Sequence, residues 1–148
     1  MRKIYISKSF KELSNEELYQ ILRLRSEVFV VEQNCIFQDM DNKDQESLHV
    51  MCYLDATLAA YTRILPEGLS FEEVSIGRVI TSPLCRGAGL GKEIMERSIA
   101  LCEKQFGRTT IRIGAQYYLK KFYNELGFVE MSNVYIEDGI EHIEMVKL

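Results

Sequence analysis

Apolar and polar positions along the first part of the chain predict a short strand followed by a helix. Over residues 3–7, Ile4 and Ile6 alternate with polar neighbours, as in a half-buried strand. Ser14 and Glu17 have the spacing of a capping box, which marks the start of a helix. Apolar residues then recur at helical spacing, so we expect this helix to continue to about residue 31.

The remainder of the chain predicts a layered α/β architecture. The pattern indicates strands over 49–54, 58–64 and 74–81, a helix over 89–106, a strand over 109–113, a helix over 117–126, and a terminal β-hairpin of strands 128–136 and 142–148 around Asp138-Gly139. This order predicts a central mixed sheet of six to seven strands with helices on its faces. No repeat or linker composition interrupts residues 1–148, so we expect a single domain.

Composition narrows the classes of function. A chain of 148 residues that is 47% apolar and 27% charged can bury a real core. Its net charge of -4 argues against a nucleic-acid partner. No apolar run approaches the ~20 residues that cross a bilayer, and no signal peptide is recognisable, so we expect a cytoplasmic protein with no membrane partner. The four cysteines form no CxxC pair and are expected to be free thiols, and no metal site is expected.

A glycine-rich turn between a predicted strand and a predicted helix is the most informative segment. The glycines of residues 86–92 allow backbone N–H groups to approach a ligand, and the following helix N-terminus favours a phosphate or pyrophosphate. The spacing fits neither GxGxxG, the dinucleotide fingerprint, nor GxxxxGK[ST], the nucleoside-triphosphate loop. A plain helix start remains the alternative.

Two motifs in this order give the chain a recognisable resemblance. Arg86-x-x-Gly89-x-Gly91 resembles the pyrophosphate motif of the GNAT acyltransferase superfamily, and the segment 122–128, FYNELGF, is similar to its FYxxxGF segment. The segment 24–33, LRSEVFVVEQ, together with Asp39-x-Asp41, resembles the ElaA-type subfamily. The resemblance implies a GNAT-like three-layer fold and an acetyl-CoA-dependent N-acetyltransferase. It implies transfer to a primary amine of a small molecule or peptide by direct attack.

The resemblance also implies site residues. Tyr123 would be the general acid that protonates the leaving thiolate of coenzyme A, the alternative being a half-buried helix tyrosine. Gln116 stands where many members have Asn, and its contact with the cofactor is expected on a longer arm. The segments that would hold acetyl-CoA are the backbone of Val79, Ile80 and Thr81 and the turn of Arg86, Gly87, Ala88, Gly89, Leu90, Gly91 and Lys92.

The acceptor side is less determined. Glu73 is a candidate general base, acting directly or through water, with a solvated charge at a strand start and an ordered water chain as the alternatives. Arg25 and Glu32 are candidate substrate contacts, although a buried Arg25 could equally form an ion pair with the acidic stretch 39–44. That stretch is expected to be a solvated loop, and neither histidine is assigned to catalysis. A homodimer through the terminal hairpin and a non-catalytic acyl-CoA sensor both stay open.

Overall fold

The computed structural model describes residues 2–148 and contains eight strands and three α-helices in that range. In chain order these are β1 (Lys3–Ser9), α1 (Asn15–Arg25), β2 (Leu48–Leu54), β3 (Thr57–Leu65), β4 (Ser75–Thr81), α2 (Leu90–Phe106), β5 (Ile111–Gln116), α3 (Lys120–Glu125), β6 (Val129–Glu130), β7 (Tyr135–Glu137) and β8 (Ile140–Lys147). Short 3₁₀ turns lie at Phe10–Glu12, Asp44–Glu46, Pro83–Cys85 and Tyr117–Leu119.

The first helix begins where its capping box predicts and then changes its hydrogen-bond pattern. Ser14 Oγ accepts a bond from the Glu17 N–H at 3.1 Å, and the Glu17 carboxylate accepts the Ser14 N–H at 2.8 Å. After α1, the segment Ser26–Glu32 continues as a π-helix, in which the Gln33 N–H bonds the Val28 carbonyl five residues back. The predicted helix is therefore continuous, but its second half is wider than an α-helix.

The strands form two four-stranded sheets. The first has the antiparallel order β1-β2-β3-β4, and the second has the order β5-β8-β6 with β7 also on β8. The two sheets meet at one parallel bridge between Val74 and Ile111. The predicted mixed α/β fold with a terminal hairpin is confirmed, but the strand count is eight because the first hairpin arm is interrupted between β6 and β7. The hairpin turns at Asp138 and Gly139, both with positive φ.

Helices cover both faces of the first sheet. One core cluster lies between this sheet and α2 and α3, and includes Ile94, Met95 and Phe128. The second cluster lies on the α1 side, where Ile21 and Leu24 pack against the sheet. Because both faces are covered, almost every residue of β3 is buried instead of every second one.

The structure also describes the cysteines, the side chains that could hold a metal ion and the character of the helices. All four cysteines are free thiols, and only Cys85 is more than slightly exposed. Over residues 2–148, no three His, Cys, Asp or Glu side chains are grouped to hold a metal ion. In the same range, no helix has both the length and the apolar character to cross a membrane.

Candidate active site

A cleft of about 1100 Å³ opens where the two sheets separate. Beyond the bridge between Val74 and Ile111, β4 and β5 make no further strand pairing with each other. Each therefore presents an edge of backbone N–H and C=O groups without a strand partner. An extended ligand can pair with such an edge as an added strand does. The predicted residues Val79, Ile80 and Thr81 lie on β4 and line this cleft.

A β-bulge changes the direction of β4 inside the cleft. The register with β3 shifts between the pairs Tyr61–Ile80 and Arg63–Gly77, which leaves Arg78 and Val79 outside regular pairing. Arg78 has φ of 50°, a left-handed conformation that costs a non-glycine residue about 1–2 kcal/mol. Bulges re-aim backbone and side chains at functional sites. This bulge aims the β4 backbone into the cleft at the level of Val79.

The glycine-rich turn leads from β4 into α2. Gly87 and Gly89 have φ of 90° and 74°, which explains glycine at both positions. α2 then begins at Leu90, so the N–H groups of its first turn have no helical partners and form a positive helix end. Gly91 lies beside Thr81 and Phe122, where a Cβ would make ordinary van der Waals contact, 3.5 Å from Thr81 Oγ1. The turn has the geometry of a phosphate-binding helix N-terminus.

Arg86 and Glu32 form an ion pair at the mouth of the cleft. The guanidinium donates two hydrogen bonds to the carboxylate, at 2.7 and 2.6 Å. The Arg86 guanidinium holds the pKa of Glu32 below its usual range. Both side chains are partly exposed, so the pair is worth at most about 1 kcal/mol. A phosphate group can replace the carboxylate as the partner of Arg86 at small cost.

Tyr123 and Gln116 line the opposite wall. Tyr123 is 6% exposed, and its ring meets Phe122 and Phe128 edge-on. Burial raises the pKa of Tyr123 above its ordinary value, so the phenol stays protonated. No residue of 2–148 hydrogen-bonds this hydroxyl. Gln116 exchanges amide hydrogen bonds with Gln33, both at 3.2 Å, so the amide is already occupied by protein.

The structure gives Arg25 an internal partner set in place of the expected substrate contact. Its side chain is fully buried and donates to Asp39 at 2.8 Å and to Asp44 at 2.7 Å. Arg25 is absent from the lining of the cleft. These contacts favour the ion-pair alternative for Arg25 over a substrate contact, because its guanidinium is fully buried and donates to two carboxylates and to the Asp39 carbonyl oxygen.

The acidic stretch is a buried network and not the solvated loop that its composition predicts. Its three aspartates are held by three arginines of separate elements, with Arg63 pairing with Asp41 at 2.8 Å and Arg78 with Asp39 at 2.8 Å. Burial alone would raise the pKa of Asp41, but Arg63 outweighs this and keeps the pKa below its usual range. The guanidinium of Arg78 also lies about 6 Å from the rings of Phe29 and Phe37. The network ties residues 39–44 to the β4 bulge.

Glu73 does not reach the cleft. β4 begins at Ser75, and the Glu73 carboxylate accepts two hydrogen bonds from Arg112 on β5, both at 3.1 Å. These bonds lower the pKa of Glu73, which makes the carboxylate a weaker base. Its position and its ion pair argue against Glu73 as the general base, a role that stays a prediction.

The β7 and β8 side of the cleft contains residues to which the sequence analysis assigned no role. Tyr135 and His142 lie on β7 and β8, with their rings stacked at 5.8 Å, and both line the cleft. Phe71 lies near Gly114 on the same side, and the Tyr135 hydroxyl covers Gly114, where a Cβ would lie only 3.2 Å away. Strand alternation on β8 and the hairpin register could have placed His142 beside Gln116.

The other histidine is structural, as expected. His49 is fully buried, and its Nε2 lies 2.9 Å from the Asp44 carbonyl oxygen. Because a carbonyl only accepts, Nε2 carries the hydrogen and Nδ1 accepts the Tyr61 hydroxyl at 2.6 Å. Burial lowers the pKa of His49, which stays neutral.

Comparison with known sequences identifies the class of protein to which this fold and cleft belong. The family described as "Acetyltransferase (GNAT) domain" matches residues 9–148, and the chain belongs to it. This is a family of acyltransferases with a coenzyme A thioester as donor.

Individual relatives place the chain near the ElaA proteins. Protein ElaA of Escherichia coli is 41% identical over 138 residues, which is 92% of this chain and 90% of that protein. The crystal structure of Escherichia coli ElaA matches with a TM-score of 0.93 at 38% identity, over 99% of this chain and 100% of that one. A Pseudomonas aeruginosa structure described as an acyl-CoA N-acyltransferase matches with a TM-score of 0.94 at 39% identity, with the same coverage.

Proposed function

We propose that this chain is an acetyl-CoA-dependent N-acetyltransferase whose acceptor is a primary amine of a small molecule or peptide. The observation that carries the proposal is the continuous path formed by the free edge of β4, the glycine-rich turn and the first turn of α2. An acyl-CoA has an extended pantetheine arm followed by a pyrophosphate. The β4 edge suits the arm, and the helix N-terminus suits the pyrophosphate.

The contacts of the donor follow from this path. The backbone of Val79, Ile80 and Thr81 pairs with the pantetheine amides, and the N–H groups of residues 87–92 hold the pyrophosphate. Arg86 exchanges Glu32 for a phosphate oxygen. The thioester then lies at the bulge, where a backbone N–H can donate to its carbonyl oxygen as negative charge develops there.

Tyr123 acts on the leaving group. When an amine attacks the thioester, the C–S bond breaks and coenzyme A departs as a thiolate. The Tyr123 phenol is protonated and without a protein partner, so it donates its hydrogen to that sulfur. Because burial raises its pKa, we expect it to act first as a hydrogen-bond donor and to complete the transfer as the sulfur gains charge.

Binding and turnover test the two halves of the proposal separately. Isothermal titration with acetyl-CoA, with ATP as the negative control, should show one-to-one saturable binding. Release of free coenzyme A is then followed with a panel of five acceptors: spermidine, glucosamine, 2-phenylethylamine, a tripeptide with a free N-terminus and an N-acetylated lysine peptide. Absence of binding at millimolar acetyl-CoA would contradict the donor site. Binding without coenzyme A release from any acceptor would favour a non-catalytic acyl-CoA-binding protein.

Tyr123→Phe tests the acid. We expect turnover to fall by about 100-fold or more, since general acid catalysis contributes on that scale. The affinity for acetyl-CoA should change by less than about 2-fold, because the phenyl ring and its packing are kept. Tyr19→Phe, at a tyrosine that is 72% exposed on α1, is the matched control. Equal turnover in the two variants would remove Tyr123 from this role.

A further inference from the structure

Glu73 pairs with Arg112 outside the lining of the cleft, and the cleft itself contains few groups that can take a proton from the attacking amine. Most of its carboxylates are committed to arginines: Glu32 to Arg86, Asp41 to Arg63, and Glu144 to Arg112. The ion pairs lower the pKa of Glu32 and of Asp41, which weakens both as bases, and the ion pair of Glu144 occupies its carboxylate. The other two carboxylates, those of Glu137 and Asp138, are exposed to solvent near the hairpin turn. His142 is the remaining base that is both sheltered and on the cleft wall.

Local hydrogen bonding determines which nitrogen of His142 is free. Nδ1 lies 2.8 Å from the carbonyl oxygen of Ile140. A carbonyl oxygen only accepts, so Nδ1 carries the hydrogen and Nε2 has a lone pair. The carboxylate of Glu137 lies 3.7 Å from Nε2, which is too far for a hydrogen bond. Stacking on Tyr135 keeps the ring in this orientation.

The strand register places this nitrogen next to the donor half of the cleft. His142 on β8 is directly opposite Gln116 on β5. Alternation puts His142, Ile140 and Glu144 on the face of β8 that lines the cleft. Gly114 lies two residues before Gln116 on that face of β5, and its missing side chain allows the Tyr135 hydroxyl and the Phe71 ring to pack there, beside the imidazole.

We propose that His142 is the general base of the transfer, an inference that rests on the proposed acetyltransferase function. The lone pair of a neutral amine forms the C–N bond to the thioester carbon, and His142 Nε2 takes one proton from that nitrogen. The C–S bond breaks, and the sulfur takes the Tyr123 proton. The imidazolium returns its proton to solvent, past the exposed carboxylate of Glu137, and Tyr123 regains one. The net products are the N-acetyl amine and free coenzyme A.

Variants of His142 give the first test, with the panel acceptor on which the wild-type protein releases coenzyme A fastest. His142→Ala should lower the rate of coenzyme A release by about 100-fold or more, with unchanged acetyl-CoA affinity by titration. Added imidazole should restore part of that rate in His142→Ala but none in Tyr123→Phe. The control is Glu141→Gln. Glu141 directly precedes His142 on β8, is exposed and does not line the cleft.

Chemical modification of the wild-type protein gives a second test that needs no variant to fold. The chain has two histidines, and His49 is fully buried with both nitrogens bonded. Diethylpyrocarbonate should therefore modify His142 alone. The activity should be lost in proportion to the absorbance change that corresponds to one modified histidine. Hydroxylamine should reverse both the absorbance change and the loss of activity.

The outcomes separate this inference from the function on which it rests. A wild-type protein that releases no coenzyme A with any panel amine would overturn both. An active wild-type protein whose His142→Ala variant keeps its rate within about 3-fold, or whose activity survives modification of one histidine, would overturn the role of His142 alone. An active wild-type protein with an inactive, imidazole-rescued variant supports the proposal.

Discussion

The charge of Asp39 is the most direct point at which to test the arginine–aspartate network. Its carboxylate accepts one hydrogen bond from Arg25 Nε and one from Arg78 Nε, both at 2.8 Å, and the residue is 8% exposed. Asp39→Asn keeps the shape but removes the negative charge. It also turns an NH₂ group toward one of the two guanidinium groups. Fully buried Arg25 then keeps Asp44 as its only carboxylate partner.

The expected loss can be worked from these contacts. Removing one partner of a buried ion pair costs about 3–5 kcal/mol. Asp44 still pairs with Arg25, and Asp41 still lies 3.3 Å from Arg78, so we expect the lower end of that range. A loss of about 3 kcal/mol is a large part of a total stability of about 5–15 kcal/mol. It corresponds to a fall in Tm of about 6–12 °C for a chain of this size.

Urea unfolding followed by circular dichroism measures this change. The midpoint should fall while the slope m is unchanged, since the surface exposed on unfolding is the same. Asp55→Asn is the matched control, because Asp55 is exposed in the turn between β2 and β3 and only caps a backbone N–H of Arg2. A stability of Asp39→Asn within about 0.5 kcal/mol of Asp55→Asn would refute the reasoning.

Three further predictions concern the donor site and pH. Glu32→Gln should tighten acetyl-CoA binding by about 2- to 5-fold, because Arg86 no longer leaves an ion pair worth up to about 1 kcal/mol; weaker binding by titration would contradict this. Gly89→Asp should abolish titration by acetyl-CoA, whereas Gly89→Asn, equally tolerant of positive φ but uncharged, should retain part of it. Stability should fall as pH is lowered through about 6.5, because the unfolded chain protonates His49 and the folded protein does not. The free energy of unfolding at pH 7.5 and 5.5 measures this fall, and His49→Gln should flatten it. The carboxylate of Asp41, whose pKa is lowered, adds its loss only at still lower pH.

The glycine-rich turn and the aromatic segment, which we propose to be the donor half of the site, were predictable because they depend on local backbone geometry. Gly87 and Gly89 are required by positive φ, and such requirements leave a short sequence pattern. The FYNELGF segment likewise sets a helix, its end and two aromatic contacts within seven residues. The resemblance of this segment to the family implies the coenzyme A cofactor, although the individual contacts of Arg86 and Gln116 remain predictions.

The acceptor half was not predictable in the same way. Arg25 and Glu73 have residue types that suit chemistry, and the sequence offers no sign of the partners that neutralise them. Those partners, Asp39 and Arg112, lie 14 and 39 positions away in the chain. His142 was given no role from the sequence, because no recognisable motif surrounds it. Its position in the cleft depends on the pairing between β5 and β8.

What the sequence alone determined was the order of strands and helices, the glycine-rich turn and the family. Each of these depends on residues that are close together in the chain, where periodicity, capping and glycine conformation act. Tertiary structure alone decided that the sheet opens after the bridge between Val74 and Ile111 and that an acidic loop becomes a buried ion-pair network. The tertiary structure also decided which charged groups form ion pairs and which do not. Burial and ion pairing depend on which distant segments meet, because the environment of a charge, and not its residue type, sets what it can do.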